Sequence, residues 1–159
     1  MLAFAIVLAL VSCGDQRTLE AHGIGIELPE GWVGRIVPPE PGFATHVIAG
    51  NFDVPSGEDW LGPMTSSSMS SESIYVWLAV QPVFEEMQEG RWLESELPIR
   101  VGDADLGNLE GFYSPVEAGR WLLIADHAII VVVGFGREDP DDDAFDAANR
   151  VLATLELSD

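Results

Sequence analysis

The chain has 159 residues, 27 of them acidic and 7 basic, for a formal net charge of -20, and every basic residue is arginine. Without lysine there is no Schiff base on a side-chain amine and no phosphate loop ending in Gly-Lys-Ser/Thr; without a basic face, neither nucleic acid nor polybasic docking on anionic lipid is expected. A hydrophobic content of 47% suits a globular chain with a core of its own, and one cysteine allows no internal disulfide.

Leu2 to Val11 is an unbroken apolar run. It is shorter than the roughly 20 residues a spanning helix needs, and it matches the apolar region of a signal peptide, about 7–15 residues. The tetrapeptide Leu10-Val11-Ser12-Cys13 that follows resembles the lipobox of bacterial lipoproteins. That resemblance implies cleavage before Cys13, acylation of its thiol, and a membrane partner reached through the lipid, on the outer face of the cell membrane. Residues 1–12 are then a signal peptide, 13–20 a tether and 21–159 one domain. A signal normally opens with Lys or Arg, yet the first basic residue is Arg17, so translation is expected to start upstream of Met1. The competing readings of Cys13 are a packed thiol in a buried element and a reactive thiol. Asp15 and Glu20 supply the opposite of the electropositive setting that a thiolate requires.

Ile24, Ile26 and Leu28 alternate with Gly25 and Glu27, the period of a half-buried strand. Pro29-Glu30-Gly31 predicts a turn with Trp32 folded back on the core, and Val33–Val37 a second strand. Phe43–Gly50 is the next strand, followed from Asn51 to Ser73 by a loop rich in Ser, Gly and Pro. Ile74, Val76, Leu78 and Val80 share one face of a central strand, and Pro82–Glu89 predicts a turn or two of helix ending at Gly90. Short strands are expected at Leu97–Val101 and Gly111–Val116. Trp121–Ala125 and Ala128–Phe135 form a hairpin around Asp126 and His127. In the last segment acidic residues crowd a helix N-terminus after Asp139-Pro140, and Asp146 and Arg150 stand four apart with favourable polarity. Phe145, Ala148, Leu152 and Leu155, flanked by Ala144 and Val151, make an apolar stripe to lie on a sheet.

A strand ending in Pro29-Glu30-Gly31-Trp32, a late hairpin and a final helix containing Asn149–Leu155 together resemble the PsbP-like α/β/α sandwich. The likeness is closest to small lipoproteins of high-GC Gram-positive bacteria and covers most of residues 20–159. It implies an α+β fold, an antiparallel sheet with the C-terminal helix on one face. It implies binding or assembly more often than catalysis, and brings no family active site with it.

The residues themselves point to no catalytic group. His22, His46 and His127 lack metal-ligand spacing, and there is no Gly-x-Ser-x-Gly elbow. Asp103, Asp105 and Glu110 suggest a calcium loop, but Gly107, Asn108 and Ser114 stand where its other required residues belong. The run Glu138, Asp139, Asp141, Asp142 and Asp143 is accounted for by the helix N-terminus it precedes. No metal or cofactor is therefore expected. Of five tryptophans, Trp32, Trp77 and Trp121 fall on predicted strands. Trp60 and Trp92 lie among polar residues and are the candidate ligand-binding platforms for a glycan or peptide, with core or hinge packing as the alternative. Two functions stand against each other: a non-enzymatic, membrane-anchored module for an envelope protein or glycan, and an envelope hydrolase using an acidic pair. The second calls for a concave pocket where two carboxylates meet, the first for an exposed apolar or aromatic patch.

Overall fold

The computed structural model describes residues 17–39, 44–54, 69–83, 92–107 and 116–158. Within them the elements run β1 (Arg17–Ala21), β2 (Ile24–Leu28), β3 (Val33–Val37), β4 (Thr45–Gly50), β5 (Ile74–Pro82), β6 (Leu93–Glu94), a single 3-10 turn (Asp103–Asp105), β7 (Glu117–Ile124), β8 (His127–Phe135), α1 (Asp142–Leu152) and β9 (Glu156–Leu157). Six strands form one sheet in the order β3-β4-β5-β8-β7-β6, and three form a smaller one in the order β1-β2-β9. Every pairing is antiparallel except that of β6 with β7. With one C-terminal helix this is a mixed, mostly antiparallel fold of the expected α+β kind.

The central strands β5 and β8 are runs of β-branched and large apolar residues because both of their faces are covered. On one face Val47, Val76, Leu78, Val131, Val133 and Leu122 join Ile24, Ile26 and Leu28 of the small sheet and the apolar stripe of α1 in one core. On the other face Ile48, Tyr75, Trp77, Ala79 and Val132 make a second cluster.

The helix is specified at both ends. The Asp141 side chain caps it by accepting from the Ala144 N–H at 3.0 Å, and Asp142 and Asp143 follow where the helix dipole favours negative charge. Ala144, Phe145, Ala148, Val151 and Leu152 are its buried stripe, with the Phe145 ring packed edge-on against Phe135 at 4.8 Å. At the far end Thr154 Oγ1 donates to the Val151 carbonyl and accepts from the Glu27 N–H, which seats the helix on β2. Asn149 exchanges two hydrogen bonds with the backbone of Val101, both 2.9 Å long.

Several expectations need correction. Residues 17–20, expected in the tether, belong to β1, which pairs with β2 along its whole length. The two-residue turn between them takes positive φ at both His22 and Gly23 (52° and 76°), the geometry that matches the twist of a hairpin. Leu97–Val101 is no strand: Pro98 offers no N–H to a ladder, and the buried Ile99 and Val101 pack without strand pairing. The late hairpin turns at Ala125-Asp126, with His127 already in β8. Trp32 sits just ahead of β3 rather than on a strand. Leu155 is buried beyond the end of α1, not within it. The strand expected at Phe43 begins at Thr45. The predicted helix after Pro82, and most of the predicted strand Gly111–Val116, lie outside the described residues.

Candidate functional site

In each suspected calcium cluster one described carboxylate serves the fold, Asp105 in the first and Asp141 in the second. Asp105 is 5% exposed; one carboxylate oxygen accepts from the Gly102 N–H at 2.9 Å, and the other holds Arg120 Nε at 2.7 Å. Glu110, Asn108 and Ser114 lie outside the described residues. In the second cluster Asp141 caps α1 and pairs with Arg137 at 2.6 Å. Among the described residues no group of three or more His, Cys, Asp or Glu side chains could hold a metal ion. The three histidines stand on separate elements: the β1–β2 turn, β4 and the start of β8.

The second face of the large sheet carries a buried polar pair. In strand register Tyr75 lies opposite Gly134, which lies opposite Glu117. The missing side chain at Gly134 lets the Tyr75 ring cross β8, and its hydroxyl donates to Glu117 Oε1. Burial, followed by the charge of Glu117 and this hydrogen bond, pushes the phenol far above its ordinary range.

On the same face His46 stacks on Trp77, ring centroids 5.5 Å apart and planes at 21°. Burial pulls the imidazole below its ordinary value of 6.5. The unfolded chain thus binds this proton at higher pH than the folded one does. The stability from neutral His46 is complete above about pH 6.5 and is lost as the pH falls through the window below it. The expected result is that wild type loses more melting temperature than His46→Gln between about pH 7.5 and pH 5.5. Parallel losses in the two proteins would contradict it.

A concave surface lies at the β6 edge. There a cleft of about 820 Å³ opens between Glu94–Leu97 and the tip of the β7–β8 hairpin, its lining including Val83, Leu123 and Asp126. The segment is tied to the hairpin by the Ser95 N–H on the Leu123 carbonyl at 2.9 Å, and β5 is tied to the same tip by the Val83 N–H on the Asp126 carbonyl at 3.1 Å. Glu94, Glu96 and Asp126 are exposed at its rim. Leu93 and Leu97, at 59% and 37% exposure, are two of the three exposed large hydrophobic residues among those described. Beside them the Trp92 ring meets Trp121 edge-to-face at 5.0 Å. A second, polar hollow of about 650 Å³ covers the outer face of the small sheet, where Glu20 and Glu156 flank Gly25 in register.

Trp92 is thus half-buried against another tryptophan, while Trp60 and Cys13 lie outside the described residues. Sequence reasoning missed Leu93, Glu94, Glu96 and Leu97. The available signal was the pair of leucines set among glutamates in Leu93-Glu94-Ser95-Glu96-Leu97. Comparison with family models, with curated proteins and with solved structures finds no match.

Proposed function

We propose that this protein is a non-enzymatic binding or assembly module, held at the outer face of the cell membrane by a lipid on Cys13, and that its β6 edge is the binding face. The observation that carries this reading is the concentration of exposed apolar side chains, Leu93 and Leu97, at a sheet edge beside a cleft.

The ends of the fold suit an anchored module. Four peptide steps separate Cys13 from Arg17, the first residue of β1, so a tether reaches at most about 14 Å. β1 begins opposite Leu28, and the chain first enters the large sheet at Val33 after a four-residue turn. That is the Gly50, Ile74 and Phe135 end. The cleft and the Ala125-Asp126 tip lie at the other end of the nine-residue β5, about 26 Å away at the rise of a strand. An anchor at Cys13 would hold one end to the lipid and present the other outward. Among the described residues no helix is long and apolar enough to cross a membrane.

The finer fold assignment, a PsbP-like sandwich, belongs to the same proposal. It is supported by a large, mostly antiparallel sheet carrying on one face the helix that contains Asn149. The hydrolase alternative finds less support. A general acid is kept protonated by a drier setting than its partner has, but Glu94, Glu96 and Asp126 are all exposed. Among the described residues the buried carboxylates, Asp105 and Glu117, are engaged by Arg120 and Tyr75.

Membrane fractionation and fatty-acid labelling of wild type against Cys13→Ala test the anchor. Wild type is expected in the membrane fraction with label, and the variant unlabelled and released. Equal release of both without label overturns the reading.

A further inference from the structure

Resting on the reading of the β6 edge as a binding face, we propose that its occupant is an extended cationic segment of another protein. The segment lies alongside Leu93–Leu97, with apolar side chains on the two leucines and basic side chains on Glu94 and Glu96.

Three features select this occupant. First, among the described residues β6 is the outermost strand of the six-stranded sheet, and the Ser95 N–H, bonded inward to Leu123, prolongs the edge beyond it. A sheet edge offers backbone donors and acceptors to an added strand. Second, residues 93 to 97 alternate leucine, glutamate, serine, glutamate and leucine, with all but Ser95 exposed. A partner alternating apolar and basic residues meets them at the period of a strand. Third, the charge decides between partners. A second copy of this chain would bring another net charge of -20 and the same two glutamates to the contact, which like-charge repulsion opposes. A basic segment is attracted by both the rim and the whole chain. A glycan platform is less well provided for, because Trp92 is half-buried against Trp121.

The test is fluorescence anisotropy with a labelled, end-blocked heptapeptide alternating arginine and leucine, titrated with the full chain in mild detergent. Saturable binding is expected. Glu94→Gln with Glu96→Gln is expected to weaken it roughly tenfold, as is Leu93→Ser with Leu97→Ser. Asp142→Asn with Asp143→Asn removes the same charge at the far-off helix start and is expected to leave binding within about twofold. Methylating alternate backbone nitrogens of the peptide is expected to abolish binding, since a strand addition needs those N–H groups. Equal weakening by both acid-to-amide pairs overturns the proposal in favour of a diffuse charge effect. Undiminished binding of the methylated peptide overturns it too. So does sedimentation showing a dimer that Leu93→Ser dissociates, or absence of saturable binding. These failures leave the anchor standing, because the anchor fails separately, on the fractionation of Cys13→Ala.

Discussion

Replacing Gly134 with alanine is expected to destabilise the protein by about 3 kcal/mol or more, well beyond the usual cost of a one-carbon addition in a sheet. A methyl group there would overlap the Tyr75 ring. The ring has little room to retreat. Tyr75 is 3% exposed, sits between β4 and β8 in the sheet, and is held at its far end by the bond from its hydroxyl to Glu117. Moving it aside would strip a buried carboxylate of a donor, a further loss of about 1–3 kcal/mol. The position is thus closed by a packing contact and a polar contact acting through one side chain. Urea unfolding of a double-mutant cycle checks the cause as well as the size. In a Tyr75→Ala background, Gly134→Ala is expected to cost less than about 1 kcal/mol, giving a large coupling energy. An equal cost in both backgrounds would place the origin elsewhere, in the backbone of β8.

Which parts of this molecule could be read from its sequence depends on where each instruction is written. β5 and β8 carry their own evidence, because a strand covered on both faces must be apolar at almost every position, as Ile74–Val80 and Ala128–Phe135 are. The same holds for α1, whose buried residues recur at helical spacing behind an acidic cap. β1 has only Leu19 packed on the core, so nothing local marks it. It is a strand because β2 lies beside it and because His22 accepts a left-handed turn where Asn is the usual choice. β6 and β9 are two residues each, and their partners lie in β7 and β2, far along the chain. No period can be seen in two residues. Ile99 and Val101 show the opposite failure: they alternate like a strand and are buried like one, but Pro98 precedes them and the Val101 backbone is bonded to a side chain.

The candidate site was harder to read for the same reason. Glu94 and Asp126 are 32 positions apart, and they share a cleft only because β6 pairs in parallel with β7 near the hairpin tip. Pairwise placement of this kind is a property of topology, which composition and local pattern do not encode. Trp92, by contrast, was visible as a tryptophan among polar residues, and it packs edge-on against Trp121.

The substitution Asn149→Ala is expected to cost about 2 kcal/mol or more, although alanine is the better helix former by about 0.5 kcal/mol. The reason lies in what the side chain does for another segment. Its oxygen accepts from the Val101 N–H and its amide nitrogen donates to the Val101 carbonyl. Val101 is 4% exposed, so alanine leaves a donor and an acceptor with poor access to water. Asn149→Asp separates the two bonds. It keeps an acceptor for the Val101 N–H but turns a second carboxylate oxygen toward the Val101 carbonyl. Oxygen facing oxygen favours the protonated acid in the folded state, so the folded pKa of the new side chain is raised above its unfolded value. Stability relative to wild type is then lowest at neutral pH and recovers as the pH falls toward the unfolded carboxylate range of about 4. Urea midpoints for wild type, Asn149→Ala and Asn149→Asp at about pH 7.5 and pH 5 check both statements. An alanine variant within about 0.5 kcal/mol of wild type would remove Asn149 as the clamp. An aspartate variant whose deficit deepens in acid would show that the oxygen-to-oxygen contact is not what sets its stability.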